Sequence, residues 1–290
     1  MSAPDVGAAR AALFTPGNRS DRFARAAASG ADALILDLED AVAAAEKDRA
    51  REGVLAHFAG DFRSGLASGQ MAGLRINNVH TAAGLRDLAA LADARIAPDF
   101  VMLPKLESAF EVRLAARHIA RRTALVCAIE SARGLEAAIE IARADPRVRA
   151  LAMGGADLAV SLRAENAWEA LLFARSRLVQ AAAAAGIGLL DSPHFELADE
   201  AGLAESSRRA RALGFTGRLA VHPRQVPVIQ AAFTPTPEEV ARAERIVAAL
   251  AAAGGNVCEL DGEMVEGPIV RAAERILAAA RSRSVSGGPR

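Results

Sequence analysis

Eight short apolar runs, spaced by longer alanine-rich amphipathic stretches, restrict this chain more than any other feature. They read AALFT (11–15), ALILDL (33–38), GLRIN (73–77), FVMLPK (100–105), ALVCAIE (124–130), ALAMGG (150–155), GIGLLDS (186–192) and GRLAVHP (217–223). Strand-sized runs alternating with helix-sized ones are the pattern of βα units around a parallel sheet. Consecutive runs start roughly 22 to 40 residues apart, the length of one such unit with its loops. The expected fold class is therefore α/β, a (β/α)8 TIM barrel spanning residues 1–232. A doubly wound open sheet is the alternative, but no glycine-rich fingerprint follows the first run. Helix boundaries are marked by Ser20 and Gly30, by a capping-box pattern SAFE at 108–111, and by TPEE at 236–239 with Pro237 in the first helical position. Residues 233–290 exceed the eighth unit and are expected to form a C-terminal helical extension or lid: a helix after Thr236, the segment AGGNVCELDGEMVEG, and a last helix from near Pro268.

Composition excludes several classes. Hydrophobic residues make up 52% and charged residues 24%, the balance of a folded globular chain. Lys and Arg total 35, as do Asp and Glu, and no basic run offers a footprint for nucleic acid. The opening MSAPDVGAARAALF has neither a charged region followed by an apolar one nor the length of a membrane span, so a cytoplasmic protein without membrane contact is expected. Of the two cysteines, Cys127 lies within ALVCAIE and reads as a small buried hydrophobe. Nucleophile-elbow, P-loop, zincin and EF-hand patterns are all missing.

In a barrel the functional groups gather where strands end and βα loops begin. Those positions carry Thr15, then Asp37 with Glu39 and Asp40, Arg75 with Asn77, Lys105, Glu130, Asp157, Asp191 and His222. Carboxylates crowded around one mouth resist ionisation unless a cation sits among them. No His or Cys pair has zinc spacing, so a hard ion with oxygen ligands follows, Mg²⁺ first and Mn²⁺ second. Each residue also has a plain structural reading. Asp157 suits a helix N-cap, Glu130 a pairing with Arg133, and Asp37, Glu39 and Asp40 the start of the second helix. Lys47 and Lys105 are the only lysines among 35 basic residues. Lys105 reads either as a salt bridge to Glu107 or to a neighbouring strand's carboxylate, or as the Schiff-base lysine of a metal-free aldolase.

Beyond these readings, the segments LFTPGNRSDRFARAAASGADALILDLEDAV, RIN, VMLPKLES, AIESARGLEAAIEIA, GGADLAVSL, LAVHPRQVPVIQAAFTPTPEEVARAERI and DGEMVEGPIVRAAERIL resemble, in order and spacing, the citrate lyase beta-subunit-like family of the HpcH/HpaI aldolase superfamily. The resemblance spans nearly the whole chain. It implies a barrel whose metal is held by Glu130 of the IES motif and Asp157 of the ADL motif. It implies that Arg75 of RIN binds the thioester and faces the developing enolate. Arg22 and Arg25, with Phe14 nearby, become candidates for meeting coenzyme A. Asp37, Glu39 and Asp40 become supports around the metal and its basic neighbours, with Asp37 and Glu39 on one side of the strand and Asp40 turned to the loop.

Two departures stand out. Relatives often have an aspartate, delivered across a subunit boundary as acid or base, where this chain has Glu266, and the added methylene moves the carboxylate by about an ångström. Position 156 is alanine where many members are acidic. The resemblance implies a Mg²⁺-dependent lyase splitting a carboxylated 3-hydroxyacyl-CoA, such as malyl-CoA or citramalyl-CoA, into acetyl-CoA and a 2-oxo acid. It also implies a homo-oligomer, trimeric or hexameric, with the C-terminal segment as a lid. The alternatives are a citrate lyase subunit acting on a citryl thioester of an acyl carrier protein, the Lys105 aldolase, and a barrel retained only for binding.

Overall fold

The computed structural model describes residues 5–60, 62–94 and 96–284. The apolar runs become parallel strands: β1 (Ala11–Pro16), β2 (Ala33–Asp37), β3 (Met71–Arg75), β4 (Phe100–Leu103), β5 (Ala124–Ile129), β6 (Val148–Met153), β7 (Gly188–Asp191) and β8 (Gly217–Ala220). Each pairs with the next, and β1 returns to β8 with Ala12 opposite Leu219, so the sheet closes into a barrel. Around it lie α1 (Phe23–Ala27), α2 (Lys47–Ala59), α3 (Ala82–Asp93), α4 (Ala109–His118), α5 (Ala132–Glu136), α6 (Ala138–Ala142), α7 (Gly155–Leu162), α8 (Leu172–Ala185), α9 (Glu200–Leu213) and α10 (Gln225–Ala232). The fold is the (β/α)8 barrel that strand spacing predicted. The β5 and β6 units each carry two helices rather than one.

The period of two along a strand splits each run between two cores. Ala12, Ala33, Ile35, Phe100, Met102, Val126, Ala128, Ala152, Leu190 and Leu219 point inward and fill the barrel. Leu13, Leu34, Leu36, Leu74, Leu103, Cys127, Ile129 and Met153 point outward against the helices. Alanines leave the inner space that Phe100 and Met102 occupy, and truncating the wholly buried Phe100 to alanine should cost about 3–5 kcal/mol. Cys127 is fully buried and unbridged, as its apolar setting predicted.

At the lower end a short 3-10 turn, Val6–Ala8, plugs the barrel, and Val6 and Ala9 join the inner core. A Cβ at Gly188 would lie 2.1 Å from the Gly7 carbonyl oxygen, so only glycine lets the plug come this close. Chemistry is left to the other end, where the strands finish.

Local signals fared unevenly. Ser108 precedes α4, but its hydroxyl donates to Glu111 Oε1 instead of accepting from the helix, while Glu111 Oε2 takes the Glu107 N–H. The expected capping box is therefore replaced by a side-chain pair. The segment after Ser20 is a 3-10 turn followed by the five residues of α1, shorter than the sequence suggested.

Beyond Phe233 the chain forms a second compact unit. Its α11 (Pro237–Ala252) opens on a complete capping box between Thr236 and Glu239 with Pro237 at the start, as read from TPEE. β9 (Cys258–Leu260) and β10 (Glu263–Val265) form an antiparallel hairpin, and α12 (Gly267–Ser284) follows. Asp261 and Gly262, at φ of 51° and 82°, make the two-residue turn with both central residues left-handed that suits the twist of paired strands. That hairpin was not anticipated, although Asp-Gly is its strongest short signal. Ala243, Ile246, Val265, Val270, Ala273 and Leu277 supply this unit's own core. No described helix is long and apolar enough to cross a membrane.

Candidate active site

Alternation carries three charged residues onto the upper rim of the barrel interior. Ile35 points inward on β2, so Asp37 does too; Leu74 points outward on β3, so Arg75 points inward; Ala128 points inward, and Glu130 follows it just past β5. Arg75 grips Asp37 with a two-pronged fork, Nε to Oδ1 at 2.7 Å and Nη2 to Oδ2 at 2.6 Å. Its Nη1 lies 2.8 Å from Glu39 Oε2, and the Phe14 ring supports the guanidinium from a centroid distance of 4.6 Å. Burial opposes charge on Arg75, but Asp37 and then Glu39 outweigh it and raise its pKa further. Asp37 also accepts the backbone N–H groups of Glu39 and Ala41, which turns the chain sharply after β2.

The turn at 38–40 is held from both sides by the two lysines of the chain. Lys47, at the start of α2, donates to the carbonyls of Leu38 and Glu39, each at 3.0 Å, and to Asn77 Oδ1. Asn77 is in turn fixed by buried Asp87 of α3, which accepts its N–H and its side-chain amide and pairs with Arg51 at 2.6 Å. From the barrel side Lys105 Nζ reaches Glu39 Oε1 at 2.8 Å, Asp40 Oδ1 at 3.0 Å and Asp157 Oδ2 at 3.4 Å.

Lys105 joins the two carboxylates that the motif pattern paired. Its backbone N–H donates to Glu130 Oε2 at 2.9 Å, while its ammonium faces Asp157 in the first turn of α7. The residue adopts φ of 53°, a left-handed conformation that costs a non-glycine residue about 1–2 kcal/mol. Glu130 lies against the β6–α7 junction, where a Cβ on Gly154 would be 2.3 Å from Glu130 Oε1; only glycine leaves room for the carboxylate.

Among the described residues, Asp37, Glu39, Asp40, Glu130 and Asp157 meet Arg75 and Lys105, five acidic groups against two basic ones. The imbalance shows in the carboxyl groups. Burial, then the charges of Glu39 and Asp157 against those of Arg75 and Lys105, pushes Glu130 up to about 7. Glu39 is also raised, because burial outweighs its two cationic neighbours. Burial acts most strongly on Asp40 too, but its hydrogen bond to Lys105 together with the charges of Lys105 and Arg75 outweighs it and draws the pKa down.

This donor set fits a hard divalent cation. Glu39 Oε2 is buried and accepts no aligned hydrogen bond, despite its approach to Arg75 Nη1. Glu130 holds its proton up to about pH 7, and added positive charge would release it. Among the described residues no three carboxylate, imidazole or thiol groups form a closed cage. Mg²⁺ commonly uses one or two carboxylates and leaves its other positions to water and substrate.

The sequence profile of the HpcH/HpaI aldolase/citrate lyase family matches residues 10–223. The chain belongs to this family. A citrate lyase subunit beta-like protein of Mycobacterium tuberculosis is 39% identical over 91% of this chain and 93% of its own length. The citrate lyase subunit beta of Escherichia coli is 35% identical over 93% of each, and the mitochondrial citramalyl-CoA lyase of Rattus norvegicus is 32% identical over 94% and 86%. In three dimensions, a Mycobacterium tuberculosis protein crystallised with magnesium, acetoacetate and coenzyme A superposes with a TM-score of 0.80 at 37% identity, covering 95% of this chain and all of that one. The family thus joins this barrel to the motifs read from the sequence.

The structure brings together Phe14, Asp37, Glu39, Asp40, Arg75, Lys105, Glu130 and Asp157. Arg22 and Arg25 lie exposed at the start of α1, with Arg25 close enough to His222 to lower its pKa after burial and Arg224. One face of the Phe14 ring carries the Arg75 guanidinium. Glu266 is exposed immediately before α12 of the second unit.

Four readings need correction. Asp157 does not cap α7, whose N-cap is Gly154, and Glu130 does not pair with Arg133, which reaches Glu107 instead. Asp191 is not part of the mouth: it is wholly buried on the outer face of β7 between Arg175 and Arg218, at 3.2 and 3.1 Å. A Schiff-base role also conflicts with the surroundings of Lys105. Burial opposes its charge, yet Glu39 and Asp40 prevail and raise its pKa, whereas an imine-forming amine must shed its proton easily. Lys47, Asp87 and Arg51 were not recognised as supports. The scarcity of lysine was the one available hint for Lys47.

Proposed function

We propose that this chain is a lyase acting on coenzyme A esters, and that it splits a carboxylated 3-hydroxyacyl-CoA of the malyl-CoA or citramalyl-CoA kind into acetyl-CoA and a 2-oxo acid with Mg²⁺. The observation that carries this reading is a guanidinium immobilised by Asp37 and Glu39, with Lys105 linking Glu39 to Glu130 and Asp157, in a cluster short of positive charge. The relatives named as lyases and the family member crystallised with magnesium and coenzyme A support it.

In cleavage, the bond between the thioester's α carbon and the hydroxyl-bearing carbon breaks. The electron pair moves to the thioester as an enolate, the hydroxyl loses its proton and its oxygen becomes the ketone of the 2-oxo acid, and the α carbon then takes up a proton. Arg75 would stand opposite the enolate oxygen. Asp37 occupies two of its five N–H donors and Glu39 lies against Nη1, so donors on Nη1 and Nη2 remain, and the fork prevents the group from reorienting as charge develops. Glu130 and Asp157 would hold Mg²⁺, which supplies Lewis-acid stabilisation to the substrate's carboxylate and hydroxyl oxygens. Glu266 is the candidate for exchanging the proton with the α carbon, a role resting on its place in the DGEMVE motif. Arg22 and Arg25, exposed on the rim side of β1, are candidates for the coenzyme A phosphates.

Release of 2-oxo acid from malyl-CoA or citramalyl-CoA with Mg²⁺, lost in folded Glu130→Ala and Asp157→Ala variants, is the expected result. Equal turnover after removal of every divalent ion refutes the reading. A citryl thioester on an acyl carrier protein is the second reading, favoured by likeness to the Escherichia coli subunit, and recovery of carrier-protein partners with the native chain would select it. A cytoplasmic homo-oligomer, trimeric or hexameric, belongs to the same proposal and is tested by sedimentation.

A further inference from the structure

We propose, resting on the Mg²⁺ reading above, that Lys105 is a resident counter-cation that competes with the divalent ion and thereby sets the affinity of the site. Its ammonium already touches one carboxylate assigned to the ion, Asp157 at 3.4 Å, and its backbone N–H is bonded to the other, Glu130 at 2.9 Å. The contact with Asp157 is the longest of the three that Nζ makes, those to Glu39 and Asp40 being 2.8 and 3.0 Å. Two cations a few ångströms apart repel even where, as at half-exposed Asp157, water screens part of the charge. A bound ion therefore either drives Nζ away from Asp157 toward Glu39 and Asp40 or binds weakly beside it.

The residue is built for that displacement. Its backbone is pinned by the bond to Glu130, so only the four-carbon stem needs to move, and an ammonium has no fixed donor plane to break. Arginine would bring a wide, rigid fork. The chain places arginine at 33 of its 35 basic positions, all but Lys47 and Lys105, and retains a compact charge here.

The experiment uses full-length protein stripped by chelator, with Mg²⁺ affinity measured by calorimetry and melting followed with and without the ion. Lys105→Met should bind Mg²⁺ at least about tenfold more tightly than wild type, melt lower without the ion, and gain more from it. Lys105→Arg should show no tightening. A folded Lys105→Met variant with unchanged or weaker affinity overturns the proposal. A merely structural role would lower melting temperature and affinity together.

Should Lys105→Met fail to fold, isotope-labelled lysine in the wild type provides the test, since only two side-chain signals exist. Mg²⁺ should shift the ammonium signal of Lys105 and leave that of Lys47 in place. An unmoved Lys105 signal in protein shown to bind Mg²⁺ overturns the competition alone, whereas wild type that binds no Mg²⁺ overturns the metal reading and this proposal with it.

Discussion

Replacing Glu130 with glutamine keeps the shape of the side chain and its ability to accept the Lys105 N–H, while removing the proton that the wild-type carboxyl exchanges. In the folded, metal-free protein that carboxyl rises from an ordinary 4.5 to about 7, chiefly through burial and then the charge of Glu39. A raised acid favours the fold while protonated. Its contribution is complete below the unfolded value and is lost as pH climbs through about 7. At about 1.4 kcal/mol per pH unit this rise is worth roughly 3 kcal/mol, most of it falling between about pH 5 and about pH 8. Wild-type stability, measured by denaturant unfolding in chelator, should therefore drop by about 2–3 kcal/mol more than that of Glu130→Gln across this window. Parallel profiles would show that Glu130 is ionised throughout, and the charge imbalance argued for the site would be wrong. Saturating Mg²⁺ should flatten the wild-type profile and leave that of Glu130→Gln nearly as it was.

Other consequences are equally direct. Arg75→Lys keeps the charge but loses the fork to Asp37 and the planar contact with Phe14, so carbon–carbon cleavage of the thioester substrate should fall by about 10²–10³-fold in a folded protein, as read by steady-state release of 2-oxo acid. Asp191→Asn strips the buried carboxylate from between Arg175 and Arg218 and should destabilise the barrel by about 3–5 kcal/mol in denaturant unfolding, with Mg²⁺ affinity unchanged. Lys47→Met unties the carbonyls of Leu38 and Glu39; hydrogen exchange of the turn after β2 should rise while that of β5 and β6 stays as in wild type.

LILDLEDAV shows how far the residues alone carried the reading. Leu34, Ile35, Leu36 and Leu38 announced β2, and period-two alternation set Asp37 and Glu39 on one side of the strand. The crowd of carboxylates after it announced a need for positive charge. Which cations meet that need was not legible, because Arg75 lies 38 residues from Asp37 and Lys105 lies 65 from Asp40, and both distances vanish only when the sheet closes. Asp191 failed for a related reason. Its place at the end of a strand was clear, but one step of alternation turns it away from the mouth and into the helix layer, where Arg175 and Arg218 hold it.

Strand spacing and hydrophobic patterning determined the barrel, its direction and the end at which chemistry gathers, because those depend on contacts along the chain and on the two-residue repeat. Motif order marked Arg75, Glu130 and Asp157. Only the tertiary structure decided which charges offset one another: that Lys105 ties Glu39, Asp40 and Asp157 to a site whose negative groups still outnumber its positive ones. Electrostatic energy depends on separation and burial in space, and a linear sequence records neither.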